Sequence, residues 1–295
     1  MTINEYLSEL LDDEKIQPED KEKIKEKRDE VESLLRGEFG SKIKTVKYSG
    51  SIAKETAINS SKDIDLAVHF KKESYATLAS MYEDVYDFLE KNYEVRKQKV
   101  SIGIPDFEVD VVPGRRISDK SEDNNVYLYR SDTDSRIKTN IETHKSHITE
   151  SGCRDIIKIF KIWRDRWNLK FKSFALELLV IQALKDSSAT STKDKTKEVL
   201  EYIESNVESV NLIDPANSAN NVADVIDSVK KSLMKSTAIN CLSYIDESKG
   251  SIGVAEWKKV FNDFTHTENS SHNSDRPTVR RNMEDWGEQP ERRYG

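Results

Sequence analysis

Cysteine is scarce in this sequence, and no side chains are spaced as in a zinc site. Cys153 and Cys241 are the only cysteines among 295 residues, and they lie far apart. The chain has no Cys-x-x-Cys pair and no group of histidines at zinc spacing. We therefore expect no disulfide framework and no zinc site, but two free thiols in a reducing cytosol.

Long apolar runs and an excess of positive charge are also absent. No run approaches the roughly 20 residues of a membrane span, and residues 1–5 lack the basic start and apolar middle of a signal peptide. We expect a cytoplasmic protein with no membrane partner. The formal net charge of −7 argues against a broad surface for long nucleic acid, but it leaves room for a small nucleotide in a local cationic pocket.

The order of hydrophobic patterns predicts an α+β fold. Residues 1–36 have a helical pattern, and the first 115 residues or so then alternate between strand and helix, which predicts a mixed sheet flanked by helices. Residues 115–150 are rich in loop-forming residues. From residue 151 the pattern is helical, with helices expected at 154–167 and 173–184 and a polar linker at 186–196.

These patterns predict that the chain is divided into three parts. We predict a sheet-containing core with an N-terminal helix at 1–150 and a helical domain at 151–264. At 265–295 apolar residues nearly vanish, so we predict a polar, mobile tail that adds little to a core.

Two short segments combine carboxylates with apolar strand residues. On a strand, Asp63 and Asp65 project to one side while Ile64 points to the core, and a later strand places Asp110 between valines. An isolated Asp-x-Asp is usually an ordinary solvated strand edge, but a second acidic strand makes a shared site the better interpretation. Neighbouring carboxylates repel each other unless a cation lies between them, and Mg²⁺ or Mn²⁺ prefers oxygen ligands. We predict a metal site at these three aspartates and assign Glu108 no role.

Several residues are candidates for binding phosphate. Gly50 allows close backbone approach, and Ser51 adds a hydroxyl, just before the first acidic strand. Residues 154–172 hold seven Lys or Arg against two Asp, so Lys161 is a candidate ligand for a triphosphate, with a solvated helix face as the alternative. Ser173 begins the next helix and could offer its hydroxyl to an anion. His144 and His147 lack a third metal ligand, and we interpret them as surface residues.

Together these residues resemble the active-site pattern of the DNA polymerase β-type nucleotidyltransferase superfamily. Within it, the chain resembles the bacterial cyclic-oligonucleotide synthases of antiphage signalling, relatives of cyclic GMP-AMP synthase and oligoadenylate synthase. The segments that carry the resemblance are Gly50–Ile58, Asp63–Asp65, Phe107–Pro113, Ile137–Asn140, Lys172–Glu177, Asp214–Asn217 and Asn220-Asn221.

The resemblance implies a fold and roles for individual residues. It implies a polymerase β-like core with a helical, oligoadenylate-synthase-like second domain. Asp63, Asp65 and Asp110 would hold two Mg²⁺ ions, with Mn²⁺ as a substitute, and Asp110 would help to deprotonate the attacking hydroxyl. The donor phosphates would lie on four residues, Gly50, Ser51, Lys161 and Ser173. Phe174 matches an aromatic residue that stacks on a base, with plain core packing as an equal alternative.

The predicted function is therefore a Mg²⁺-dependent nucleotidyltransferase of bacterial antiphage defence. It would use ATP and other NTPs to make a cyclic di- or trinucleotide that a separate effector reads. An accessory ligase could act on the C-terminus, and the missing zinc insertion makes zinc-dependent DNA sensing unexpected. Two alternatives are an enzyme that adds nucleotides to RNA 3′ ends and a catalytically silent scaffold or antitoxin.

Overall fold

The computed structural model describes residues 1–263, apart from the side chain of Lys249. The polar tail predicted at 265–295, with the C-terminus on which a ligase could act, lies outside the described residues. The helices are α1 (Ile3–Asp13), α2 (Pro18–Phe39), α3 (Gly50–Ala53), α4 (Leu78–Glu90), α5 (Ile141–Ser151), α6 (Arg154–Arg166), α7 (Ser173–Ala183), α8 (Thr192–Asn206), α9 (Ser228–Tyr244) and α10 (Val254–Val260). The strands are β1 (Ile43–Tyr48), β2 (Ile64–Phe70), β3 (Arg96–Lys97), β4 (Ile102–Ile104), β5 (Val109–Arg116), β6 (Val126–Arg130), β7 (Ser135–Thr139), β8 (Ile213–Asp214) and β9 (Asn217–Asn221).

Seven of these strands form one mixed sheet, as the sequence predicted. The order of its main path is β1-β2-β5-β4-β3, and β6 and β7 extend it from β5. The pair β2 and β5 is parallel, whereas the other neighbours run antiparallel. The two acidic strands are therefore direct neighbours that run in the same direction. Strands β8 and β9 form a separate hairpin.

Two hydrophobic clusters lie within the compact unit formed by residues 1–263. One joins the core face of the sheet to α2 and α4, because the apolar side chains of α4 recur every three or four residues and face the strands. The second is helical and includes α6, α7, α8 and α9, together with α1. The domain boundary at residue 150 stays a prediction, and α1 packs with the helical cluster.

Local predictions failed where capping and proline chemistry decided the outcome. The single helix predicted at 1–36 is two helices, because Pro18 stands at the first position of α2, where its missing N–H costs nothing. The linker predicted at 186–196 already contains the start of α8, which the Ser191 side chain caps. Residues 115–150 also hold α5, capped by Asn140. The Asn220-Asn221 segment forms the end of β9, which one short 3₁₀ turn follows.

Among residues 1–263, every helix falls short of the length and apolar character that a membrane span needs.

His69 makes the stability of this fold depend on pH. Its side chain is buried in β2, and this burial, helped by the charges of Arg116 and Lys47, lowers its pKa from 6.5 to about 4. The unfolded chain therefore binds a proton below pH 6.5 that the folded chain refuses until about pH 4. We expect this histidine to remove up to about 3 kcal/mol of stability as the pH falls through that range, at ~1.4 kcal/mol per pKa unit.

Urea unfolding at pH 7.5 and pH 4.5 tests this expectation. The loss of stability between the two pH values should be larger in the wild type than in His69→Gln, which keeps a polar side chain of similar size but cannot titrate. Equal losses in the two proteins would contradict it.

Candidate active site

The structure brings Asp65 and Asp110 together. Asp65 lies on β2 and is the direct register partner of Asp110 on the parallel strand β5. Ile64 and Leu66 beside Asp65 are buried in the sheet core, so the carboxylate faces the opposite side. Asp63 stands just before β2 and is exposed. The two acidic strands therefore meet as predicted, and Asp63 lies beside the end of β2 where this strand begins.

The electrostatics of this pair are those of crowded carboxylates. Burial and the charge of Asp110 raise the pKa of Asp65 to about 7, and the charge of Asp63 contributes less to this rise. Burial also raises the pKa of Asp110, as does the charge of Asp63, whereas a hydrogen bond from Gln98 opposes the rise. A cation between these groups would offset the repulsion among them.

Gly50 lies directly against Asp65. Its φ is +57°, and a Cβ atom on it would stand 1.7 Å from Oδ2 of Asp65, so only glycine fits here. The backbone N–H of Ser49 donates to the Asp65 carbonyl at 2.7 Å. Ser51 follows within α3. The glycine-serine segment is thus in direct contact with the acidic strand.

Gln98 was missed by the sequence reasoning. Its side-chain amide donates to Oδ1 of Asp110 at 2.9 Å, and the hydroxyl of Ser101 donates to Oε1 of Gln98 at 2.7 Å. Ser101 thereby fixes which end of the amide faces the aspartate. No pattern in the sequence links these two polar residues to the acidic strand.

The carboxylates of Asp63, Asp65 and Asp110 suit a hard divalent cation, although they do not form a complete coordination site. Within residues 1–263, no three His, Cys, Asp or Glu side chains are placed closely enough to hold a metal ion. Asp65 and Asp110 nevertheless supply neighbouring carboxylate oxygens, which are the ligands that Mg²⁺ prefers. The residues fit such an ion by their chemistry.

Lys161 is buried, so the alternative of a solvated helix face is wrong. Its side chain is 1% exposed, and its ammonium donates to the carbonyl of Thr56 at 2.9 Å and lies 2.9 Å from Oε1 of Glu177. Lys54, at the end of α3, is paired with the same glutamate. The sequence offered one signal for this cluster, since Glu177 is a lone carboxylate in the apolar helix α7 and needs partners.

Ser173 and Phe174 lie at the start of α7, next to this cluster. The Ser173 hydroxyl accepts a hydrogen bond from Nη1 of Arg164 at 2.8 Å. The Phe174 ring lies 4.9 Å from the Lys54 ammonium and 4.7 Å from the His144 ring. Its role as a base-stacking residue stays a prediction.

His144 is not a surface residue, so that interpretation is wrong. Its Nε2 lies 2.7 Å from Oδ1 of Asp214, a buried residue that also accepts hydrogen bonds from the Ala216 N–H and the Asn220 amide. His147 is half-buried. The hairpin of β8 and β9 is thereby joined to α5 and, through the His144 ring, to Phe174.

Comparison with known proteins identifies the family. Residues 1–151 match the family described as Second Messenger Oligonucleotide or Dinucleotide Synthetase domain. A cyclic AMP-AMP-AMP synthase of Escherichia coli (strain MS 115-1) is 25% identical over an alignment of 310 residues, covering 88% of this chain and 95% of that protein.

Solved structures share the fold. The structure of CdnC from E. coli MS115-1 with ATP has a TM-score of 0.70 at 22% identity and covers 89% of this chain and 98% of that one. The CD-NTase CdnG of Bradyrhizobium diazoefficiens, in complex with GTP, has a TM-score of 0.68 at 12% identity, with 88% and 96% covered. The predicted fold class is confirmed, and so is the predicted class of enzyme, a nucleotidyltransferase that makes nucleotide second messengers. Because the family match spans 151 of 295 residues, the chain belongs to the Second Messenger Oligonucleotide or Dinucleotide Synthetase family.

Proposed function

We propose that this protein joins ATP units into a cyclic adenylate, a trinucleotide in the first instance, and releases pyrophosphate. The observation that carries the proposal is the register of Asp65 and Asp110 on parallel strands, with Gly50 packed against Asp65. The E. coli relative named a cyclic AMP-AMP-AMP synthase supports the choice of base and ring size. The product would serve as a second messenger for a separate effector in antiphage defence.

The carboxylates would hold the metal ions of this reaction. Asp65 and Asp110 would bind from the sheet and Asp63 from its exposed position before β2, and Mg²⁺ is the ion that best suits these ligands. When bound, two such ions supply charge stabilisation for the entering and leaving oxygens. Asp110 would also help to deprotonate the attacking ribose hydroxyl.

The remaining residues would bind the nucleotide. The glycine at position 50 lets the phosphates approach the backbone, and the Ser51 hydroxyl would donate to a phosphate oxygen. Ser173 would supply a hydroxyl contact from α7, and the buried Lys161 would add its positive charge from α6. Phe174 would stack on a base through the part of its ring that His144 and Lys54 do not cover.

An incubation with labelled NTPs tests the proposal. We expect purified protein with ATP alone and Mg²⁺ or Mn²⁺ to form a product that phosphatase does not degrade, because a cyclic product has no terminal phosphate. Asp63→Ala/Asp65→Ala should form none. Omission of single NTPs from a mixture identifies the bases used.

Two outcomes would contradict the proposal. A labelled product that forms only when tRNA is added would instead indicate an enzyme acting on RNA 3′ ends. No turnover of any NTP with either metal, with or without tRNA, would indicate a silent scaffold.

A further inference from the structure

Glu177 joins two parts of the candidate site. The side chain is fully buried in α7, where its neighbours Ala175, Leu176 and Leu178 are apolar. Its Oε1 accepts from the Thr56 hydroxyl at 2.8 Å, while the Lys54 ammonium lies against Oε2. The same carboxylate pairs with Lys161 of α6.

The charges in this buried cluster make the glutamate necessary. Burial works to raise the pKa of Glu177, but the ammonium groups of Lys54 and Lys161 outweigh it and bring the pKa to about 2. The carboxylate therefore stays ionised. Without it, two ammonium groups that are less than one-tenth exposed would face each other with no countercharge, which is costly in a protein interior.

The cluster also reaches the metal-binding side of the site. Lys54 follows directly on α3, the turn that begins at Gly50, and its charge opposes the rise that burial and Asp110 cause in the pKa of Asp65. Thr56 completes the link, because its hydroxyl donates to Glu177 and its carbonyl accepts from Lys161. One carboxylate thus connects the glycine-serine turn of the sheet core to α6 and α7.

We propose that Glu177 is a positioning residue for the nucleotide phosphates. Through Lys54 and Thr56 it holds the turn at residues 50–53 in one fixed relation to α6 and α7, so that the backbone amides of the turn stay placed for the triphosphate. This role rests on the proposed function of the site. It goes beyond that function because Glu177, as a carboxylate, would not itself contact the phosphates.

Glu177→Gln separates positioning from simple structural support. The glutamine keeps the shape but loses the charge, and we expect the KM for ATP to rise about tenfold or more, because an uncompensated buried charge displaces its neighbours. Loss of folded protein alone would lower kcat in proportion and leave KM unchanged. Equilibrium binding of ATP to the full chain should weaken by a similar factor.

Two further variants test the route of the effect. If Glu177 acts through Lys54, the double variant Lys54→Met/Glu177→Gln should have a KM within about twofold of that of the single variant with the higher KM. The reason is that the effects of coupled substitutions are not additive. Glu201→Gln removes the same charge from an exposed position on α8 and should leave KM and ATP binding unchanged. Should the glutamine variant not fold, Thr56→Val removes the hydroxyl that donates to Glu177 and accepts from Lys161, and it should also raise KM.

The outcomes separate this inference from the proposed function. If the wild type is active and Glu177→Gln and Thr56→Val both have the wild-type KM, the positioning role is overturned while the proposed function stands. A wild type that binds ATP but forms no product would overturn the proposed function, and the binding comparison would still decide the role of Glu177.

Discussion

Asp65→Asn is expected to abolish product formation without weakening the fold. We expect at least about a thousandfold lower turnover, because bound metal ions supply several kcal/mol of transition-state stabilisation and asparagine is a poor ligand for them. Without metal, the variant should unfold at the same temperature as the wild type or higher. The reason is that it removes a desolvated charge that is repelled by Asp110.

Three measurements check this result, namely turnover of labelled ATP, binding of Mn²⁺ by electron paramagnetic resonance, and thermal unfolding in EDTA at pH 8. Glu108→Gln is the matched control, since Glu108 lies two residues from Asp110 but is exposed and paired with Lys27. The control should keep both Mn²⁺ binding and turnover. Equal loss in the two variants, or normal Mn²⁺ binding in Asp65→Asn, would contradict the assignment of Asp65 as a metal ligand.

Gly50→Ala is expected to damage both stability and activity. The new methyl group would overlap Oδ2 of Asp65, and alanine disfavours the positive φ at this position. We expect a loss of about 1–3 kcal/mol in the free energy of unfolding from the backbone strain alone. Turnover should fall by about a hundredfold or more, because displacement of a catalytic group by about 1 Å has effects of that size.

Gly37→Ala provides the control for this substitution. Gly37 lies within α2, and a Cβ atom on it would meet nothing within 4 Å. Alanine there should stabilise the protein by up to about 1 kcal/mol through its helix propensity, with turnover unchanged. Urea unfolding and the labelled-ATP assay on both variants would test the pair. A Gly50→Ala protein as active as Gly37→Ala would show that the turn does not need the glycine.

Local pattern was enough to predict the sheet side of the site. Asp65 and Asp110 alternate with buried residues on β2 and β5, and such alternation alone places both carboxylates opposite the core. Gly50 was expected to allow a close backbone approach, and the structure places it with a positive φ directly against Asp65. Helix boundaries were less predictable, because caps such as Asn140 and Ser191 act through single hydrogen bonds that compete with other local conformations.

The helical side of the site was only partly predictable. The sequence left a solvated helix face as the alternative for Lys161, whereas the structure buries this residue against Glu177. Lys54 lies far from both residues in the chain, and a charge is buried only where its partner arrives by tertiary packing. His144 and Asp214 show the same effect, since each looks like an ordinary polar residue until β8 and α5 meet.

The sequence by itself determined the α+β class, the two acidic strands, the glycine turn and the family, because these depend on neighbours along the chain and on the period of a strand or helix. Only the tertiary structure decided the parallel pairing that sets Asp65 beside Asp110, the hydrogen bond from Gln98 to Asp110, and the buried cluster around Glu177. The physical reason is that pairing, desolvation and charge compensation depend on which distant segments share a low-dielectric interior.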